Sequence, residues 1–270
     1  MRNVGKRGAG ALALAAVLLL SGCTYESGEK RFVLEAADSA ATELKPAAEA
    51  GQLLKAAIEK GETDPDAQKF WYKGHVKNTV LSRTTTIMFE GAVIKPDGYN
   101  VDARIARQPY QYYRIGDKRY VRVKDAWMTA KEDPLPFDVL HGFEDLIPLM
   151  DRAVLAKESD EIYGVDCAAY QVKMTATEWV AASKSPLFGP LRDQLAGRPD
   201  MQQILDNGTV KITLWIGKED QLIHQYETWI ILPFPGGGYM DQQVLFSFYK
   251  YNDPGIQIKD PAEVEKYLLY

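Results

Sequence analysis

The sequence predicts an α+β protein built on one wide, curled antiparallel sheet, an open half-barrel of about nine to eleven strands covered by helices. Apolar and polar residues alternate through many short segments, as they do in strands that bury one face. The links between these segments are too short for the crossovers that parallel strands need. Segments with helical periodicity precede, interrupt and follow the strands, where they are placed to cover one face of the sheet.

The first helical pattern runs from about Lys30 to Lys60 and is rich in Ala, Glu, Leu and Lys. Its apolar residues recur at three- and four-residue steps, and Pro46 predicts a kink or a division into two helices. The segment from Gly61 to Pro65 is typical of a helix end. We therefore expect a long helix before the first strand.

Strand patterns begin after Ala67 and continue to about Met128. The segment Lys95 to Gly98 predicts a turn, because Pro fixes φ and Gly accepts a positive φ. Gly116 and Asp117 predict a tight hairpin between two short strands. The first half of the protein is therefore expected to be a meander.

Helical patterns return twice within the second half. They cover Asp138 to Ala156, and then Thr177 to Ala182 together with Leu187 to Leu205. Strands are expected at about 158–175 and again from Val210 to Tyr251. A short helix is expected in the tail, from Asp260 to Tyr270.

The amino terminus has the pattern of an export signal. Three basic residues among the first seven precede Ala9 to Leu20, twelve residues that are all apolar or Gly. As a helix this run is about 18 Å long, well short of the ~30 Å hydrocarbon core, so it predicts a signal peptide and not a membrane-spanning helix. Leu20 to Cys23 resembles the lipobox of bacterial lipoproteins. That resemblance implies cleavage before Cys23 and attachment of acyl chains, such as palmitate, to that residue.

The predicted organisation is a signal peptide at 1–22, a lipid-attached Cys23 that begins a polar stalk at 23–30, and a single domain at 31–270. Two or three acyl chains make a stable anchor, so the domain is expected on the extracytoplasmic face of the cell membrane. Loss of three positive charges with the signal peptide takes the formal net charge from -5 to about -8. This acidic balance argues against a nucleic-acid partner and against adhesion to anionic lipid through a polybasic segment.

The side chains that carry most enzyme chemistry are few and scattered. The three histidines, His75, His141 and His224, are far apart, and no H-E-x-x-H, C-x-x-C or G-x-S-x-G pattern occurs. We expect His224 to be a core or rim residue satisfied by a hydrogen bond, in preference to a metal ligand or a general base. Cys167 has no partner if Cys23 carries lipid, and it is expected to be a structural residue near the start of a strand. The sequence therefore predicts no catalytic site, metal site or cofactor.

The order of elements is similar to that of the LolA/LppX-like superfamily of lipoprotein and lipid carriers. Val210 to Ile216, followed by Gln221 to Ile223, resembles paired strands of that superfamily. Phe246 to Ile256, followed by Pro261, resembles its closing strand and tail. The resemblance implies an open half-barrel that holds an acyl chain or another hydrophobic molecule, or senses one.

The predicted function is a membrane-anchored lipoprotein that binds or carries a hydrophobic small molecule or lipid in a half-barrel cavity. The residues predicted to line this cavity are Met88, Val101, Tyr112, Tyr170, Val172, Leu214, Tyr226 and Phe246. One alternative is an envelope sensor of the same fold that carries no cargo and contacts a membrane protein. A hydrolase acting on wall or lipid material is the less favoured alternative.

Overall fold

The computed structural model describes residues 47–105, 108–123, 126–130, 143–182 and 199–261. Several predicted features lie outside these residues. They are the signal peptide, Cys23, the stalk, the first part of the amino-terminal helical pattern, His141, residues 187–198 of the third helical pattern, and the tail after Pro261.

Eleven strands form one antiparallel sheet, which confirms the predicted open half-barrel with helices. The strands are β1 Lys69–Val80, β2 Arg83–Ile94, β3 Gly98–Ile105, β4 Gln108–Ile115, β5 Lys118–Val123, β6 Ala126–Thr129, β7 Val154–Ile162, β8 Val165–Thr175, β9 Thr209–Gly217, β10 Ile223–Pro233 and β11 Tyr239–Tyr249. Their order across the sheet is β6-β5-β4-β3-β2-β1-β11-β10-β9-β8-β7. In the part of the chain that is described, the outermost strands β6 and β7 have no further strand beside them, so the sheet is open.

The described helices are α1 Ala47–Thr63, α2 Ala176–Ala182 and α3 Met201–Asn207, with 3-10 helices at Pro65–Ala67 and Glu144–Arg152. The longest helix, α1, packs along the 3-10 helix Glu144–Arg152. Leu54 and Met150 are fully buried in this contact region, and Lys55 Nζ lies 2.7 Å from Asp151 Oδ1 at its edge. The helices therefore cover the half of the sheet that contains β7 to β10.

The prediction of a helix from Asp138 to Ala156 is wrong at the carboxyl end, where the chain forms a strand. The structure has a 3-10 helix at Glu144–Arg152, and β7 already begins at Val154. Pro148 lies inside the 3-10 helix and lacks the N–H that a regular α-helix would need there. The apolar residues that follow fit a strand as well as a helix, because a short apolar run does not distinguish the two.

The two predicted turns are confirmed. Residues 95–97 connect β2 to β3, and Gly116 with Asp117 connects β4 to β5. The positive φ expected at Gly98 is wrong, because Gly98 is already the first residue of β3, where a Cβ atom would lie 1.9 Å from the carbonyl oxygen of Arg114. Gly116 has a φ of 56°, the left-handed conformation that the hairpin requires. Local turn chemistry was therefore sufficient to place these hairpins.

The core lies on one face of the sheet, which we call the inner face. Cross-strand neighbours form one buried row that runs through five strands, and the row consists of Val76, Val244, Thr228, Ile212 and Val172. Thr228 is the one polar member, and its hydroxyl donates a hydrogen bond to the hydroxyl of Tyr226. The opposite, outer face carries most of the charged side chains of the same strands.

Gly74 allows the sheet to curl where aromatic side chains pack on the inner face. A Cβ atom on Gly74 would lie 1.9 Å from the carbonyl oxygen of Leu245, and 2.8 Å from the ring of Phe89. Phe89 and Phe246, which flank Gly74 in register, have ring centroids 4.8 Å apart. Rings therefore occupy the space above a residue without a side chain, an arrangement that bends a strand without leaving a void.

Gly74→Ala is expected to lower the free energy of unfolding by more than about 3 kcal/mol, because backbone atoms must shift to admit the methyl group. Urea denaturation measures this change. Gly61→Ala is the matched control, since nothing lies within 4 Å of the added Cβ atom and Gly61 belongs to α1. That variant should gain about 0.5–1 kcal/mol from helix propensity. Equal stability of the two variants would contradict the account of the curl.

Candidate functional site

The inner face of the first half of the sheet changes from buried to exposed along its strands. In β2, Val93 and Phe89 are buried, Ile87 is half-buried, and Thr85 and Arg83 are exposed. We call the end of the sheet near Arg83 the open end, and the end at the β2–β3 turn the closed end.

The neighbouring strands show the same change toward the open end. In β4, Tyr112 is fully buried and Tyr110 is half-buried. In β5, Val121 is half-buried and Val123, the last residue of the strand, is 46% exposed. The apolar lining of the inner face is therefore partly accessible at one end of the sheet.

The closed end is held by contacts between distant segments. Lys95 Nζ in the β2–β3 turn lies 2.8 Å from Glu62 Oε1 near the end of α1. The segment after β11 is also fixed at this end. Its Asp260 accepts a hydrogen bond through Oδ2 from the hydroxyl of Tyr120 in β5 at 2.8 Å, and its Ile256 is buried. These contacts bring α1 and the segment after β11 across the strand ends on this side.

The structure places all but one of the predicted lining residues on the inner face. Val101, Tyr112, Val172, Leu214, Tyr226 and Phe246 are buried in the core cluster, and Tyr170 is partly buried against it. Burial raises the pKa of Tyr226 to about 12, so its hydroxyl stays protonated. Their contact with a ligand stays a prediction, because a core residue and a lining residue are both buried on this face.

Met88 does not belong to this set. Its side chain is 62% exposed and lies on the outer face, between His75 and Arg104 in the register. Side chains alternate along a strand, so the inner positions beside it are those of Ile87 and Phe89. Because three consecutive apolar residues hide the alternation, the sequence reasoning missed Ile87, although the exposed threonines before it continue the same period of two.

Tryptophans on the outer face have structural partners. Three indole N–H groups on this face donate to carboxylates: Trp71 to Asp253 at 3.0 Å, Trp215 to Asp160 at 3.0 Å, and Trp229 to Asp241 at 2.7 Å. Lys211 Nζ lies 4.5 Å from the centre of the Trp229 ring and covers it. These aromatic rings are therefore held on the outer face, away from the core.

His224 is a hydrogen-bonded core residue. It is 3% exposed, and its Nε2 lies 2.8 Å from Asp220 Oδ2 in the β9–β10 turn. Burial on its own raises the pKa of Asp220, but the hydrogen bonds from His224 and from the N–H of Leu222 outweigh it and leave the pKa below its usual value. The turn therefore keeps a carboxylate that holds the imidazole in place.

Cys167 is buried in β8 and is not paired in a disulfide. Burial, followed by the nearby carboxylates of Asp220 and Asp166, raises the pKa of its thiol to about 12. A nucleophilic cysteine needs the opposite environment, one that stabilises the thiolate. The chemistry of this thiol is therefore that of a small core residue.

The described ranges contain no group of three or more His, Cys, Asp or Glu side chains arranged to hold a metal ion. They also contain no helix whose length and apolar character suffice to span a bilayer.

Cys167 should be almost unreactive toward a thiol reagent in the folded protein at pH 8, because it is buried and its pKa lies about four units above that pH. A Cys23→Ser variant isolates this thiol, and absorbance after addition of Ellman's reagent measures it. The same sample in denaturant should react rapidly and supply the control. Rapid reaction of the folded protein would show an activated thiol.

No protein-family model matches this sequence, and no curated protein matches it. Among solved structures, LprF from Mycobacterium bovis aligns over 80% of this chain and 98% of its own, with 14% identity and a TM-score of 0.43. A LolA superfamily protein from Nitrosomonas europaea aligns over 80% and 96%, with 9% identity and a TM-score of 0.30. A chain of the MucA/MucB complex of Pseudomonas aeruginosa aligns over 80% of this chain and 62% of its own, with 11% identity and a TM-score of 0.36. The fold of this chain rests on its own strand order.

Proposed function

We propose that this protein binds a lipid or another molecule with an acyl chain in the hollow of the curled sheet, and that lipid on Cys23 holds it at the extracytoplasmic face of the membrane. The observation that supports the proposal is the accessible apolar lining at the open end. Val80, Ile87, Tyr110 and Val121 are packed against the core there but are only partly buried. Leaving such surface in water costs about 25 cal/mol per Å², and an acyl chain would remove that cost.

The same part of the inner face offers polar groups for the head of such a ligand. Asn78 and Gln242 are cross-strand neighbours on β1 and β11, and Gln242 Nε2 donates to Asn78 Oδ1 at 2.8 Å. Ligand sites combine a mostly apolar lining with a few polar groups that fix orientation. A ligand whose acyl chain enters the hollow of the sheet first would bring its head group to Asn78 and Gln242.

The proposed anchor leaves the domain free to move near the membrane. Cys23 precedes the first residue of α1 by 24 positions, so the connecting segment spans at most about 80 Å when fully extended. A carrier tethered in this way meets lipids in its own membrane without diffusing away from it.

Organic extraction of the purified protein, followed by mass spectrometry, is expected to release lipid in stoichiometric amount. The protein should be purified without detergent after mild release from the cell, because detergent competes for an apolar hollow. An empty extract together with co-purification of one membrane protein would favour the sensor without cargo.

Ile87→Arg is expected to lower the amount of extracted lipid about tenfold or more, because a guanidinium group would stand in the apolar path. Met88→Arg is the matched control, since the same side chain is added one residue away on the outer face. Mass spectrometry of lipid per mole of protein gives the readout, and thermal unfolding shows that both variants are folded. Equal lipid in the two variants would place the ligand elsewhere.

A further inference from the structure

Large apolar side chains are exposed at the open end. Leu81, Val123, Met128 and Tyr239 are 56%, 46%, 54% and 40% exposed, and we call these four residues the apolar rim. Among described residues, the other large apolar side chains with comparable exposure are Leu53, Met88 and Tyr163. Most of this exposure is therefore gathered at one end of the sheet.

The topology explains why the rim residues lie at the same end. Leu81 is in the turn between β1 and β2, and its N–H donates to the carbonyl oxygen of Tyr239 at the start of β11. Val123 ends β5, and Met128 in β6 pairs with Val121 in β5. Neighbouring strands run in opposite directions, so the end of β1, the start of β2 and the end of β5 lie on the same side of the sheet. They are staggered in register, and Val123 is level with Phe89 and Gly74, seven positions before Leu81. From β11 to β6 the rim crosses six strand spacings, about 29 Å measured across the strands, and it slants along them, because Met128 is level with Tyr72, nine positions before Leu81.

The rim is accompanied by positive charge. Arg83 begins β2, Arg104 is the residue before the end of β3, and Arg122 is the residue before the end of β5; all three are exposed. Arg122 Nη1 donates to the uncharged Gln111 at 2.8 Å. Asp241, an acidic residue near this end, already accepts a hydrogen bond from Trp229. A chain whose formal net charge is -5 thus presents arginines beside its exposed apolar side chains.

We propose that this end of the sheet docks on a bilayer that contains anionic phospholipid, with the rim residues inserted among the head groups and the three arginines beside lipid phosphates. The proposal rests on the proposed function and adds the surface from which the ligand is taken or to which it is given. Each basic residue near an anionic leaflet contributes about 1 kcal/mol, and apolar tips add the transfer of their side chains.

The shape of the rim favours a lipid surface over a protein partner. A stable protein interface buries about 800 Å² on each side in a continuous patch. The rim is instead a slanting row of separate tips, with Arg83 on the same face of the sheet and Arg104 and Arg122 on the outer face behind it, which suits a layer that is charged outside and apolar below. Docked in this way, the open end faces the bilayer, and an acyl chain can pass into the hollow without crossing water.

The test uses the full chain, inserted through its own anchor into vesicles, with a nitrobenzoxadiazole label on one introduced cysteine. Leu81→Cys carries the label at the rim. Tyr163→Cys is the matched control, because Tyr163 is 47% exposed in the β7–β8 turn at the closed end. Cys167 is buried and does not compete for the label.

On phosphatidylcholine vesicles that contain phosphatidylglycerol, the label at position 81 should show a severalfold rise in emission with a blue shift. The label at position 163 should stay at its value in water. Replacing phosphatidylglycerol with phosphatidylcholine should reduce the response at position 81.

Arg83→Gln combined with Arg122→Gln should lower the docking equilibrium constant about 30-fold, the equivalent of about 2 kcal/mol. Lys118→Gln combined with Lys218→Gln removes the same charge at the closed end and should leave docking unchanged. The proposal is overturned if the label at position 81 behaves like that at position 163, if charge at the open end has no effect, or if the response requires an added membrane protein. Stoichiometric lipid in the extract with no response at position 81 would overturn docking and leave the proposed function standing.

Discussion

The pairing of the first strand with the last is the constraint on which the rest of the structure depends. β1 and β11 are joined in register over ten residue pairs, from Trp71 with Tyr249 to Val80 with Met240. This pairing unites two meanders, β1 to β6 and β7 to β11, into one sheet with a continuous inner face. A shift of one residue would turn every inner side chain of one meander outward, so the buried row from Val76 to Val172 would be lost.

The sequence predicted those features that depend on local chemistry. Turn residues at Lys95–Gly98 and Gly116–Asp117 placed hairpins. The pairing of β1 with β11 has no local signal, because it joins residues more than 150 positions apart. Nor did periodicity distinguish the strand at Val154 from a helix, or assign Ile87 rather than Met88 to the inner face. In each case, burial by distant segments decided what a short apolar run became.

The contacts between distant segments lie at the closed end of the sheet, and the accessible inner positions of β2 lie at the open end. At the closed end, an ion pair between Lys95 and Glu62 and the hydrogen bond between Tyr120 and Asp260 fasten segments that are far apart in sequence. At the open end, the inner positions of β2 are the exposed residues Thr85 and Arg83. Regions with few buried apolar contacts are those that open most easily, so ligand entry at this end would leave the fastened end undisturbed.

Cys167 and His224, two titratable side chains of the described core, have structural roles. Burial keeps the thiol of Cys167 protonated, and Asp220 holds the imidazole of His224. A lipid anchor lowers the affinity that an apolar surface needs in order to dock on the membrane. An anchored domain sees its membrane at an effective concentration in the millimolar range, so docking that would be negligible for a free protein becomes substantial. Weak contacts at the open end are then an advantage, because a carrier that docks must also leave.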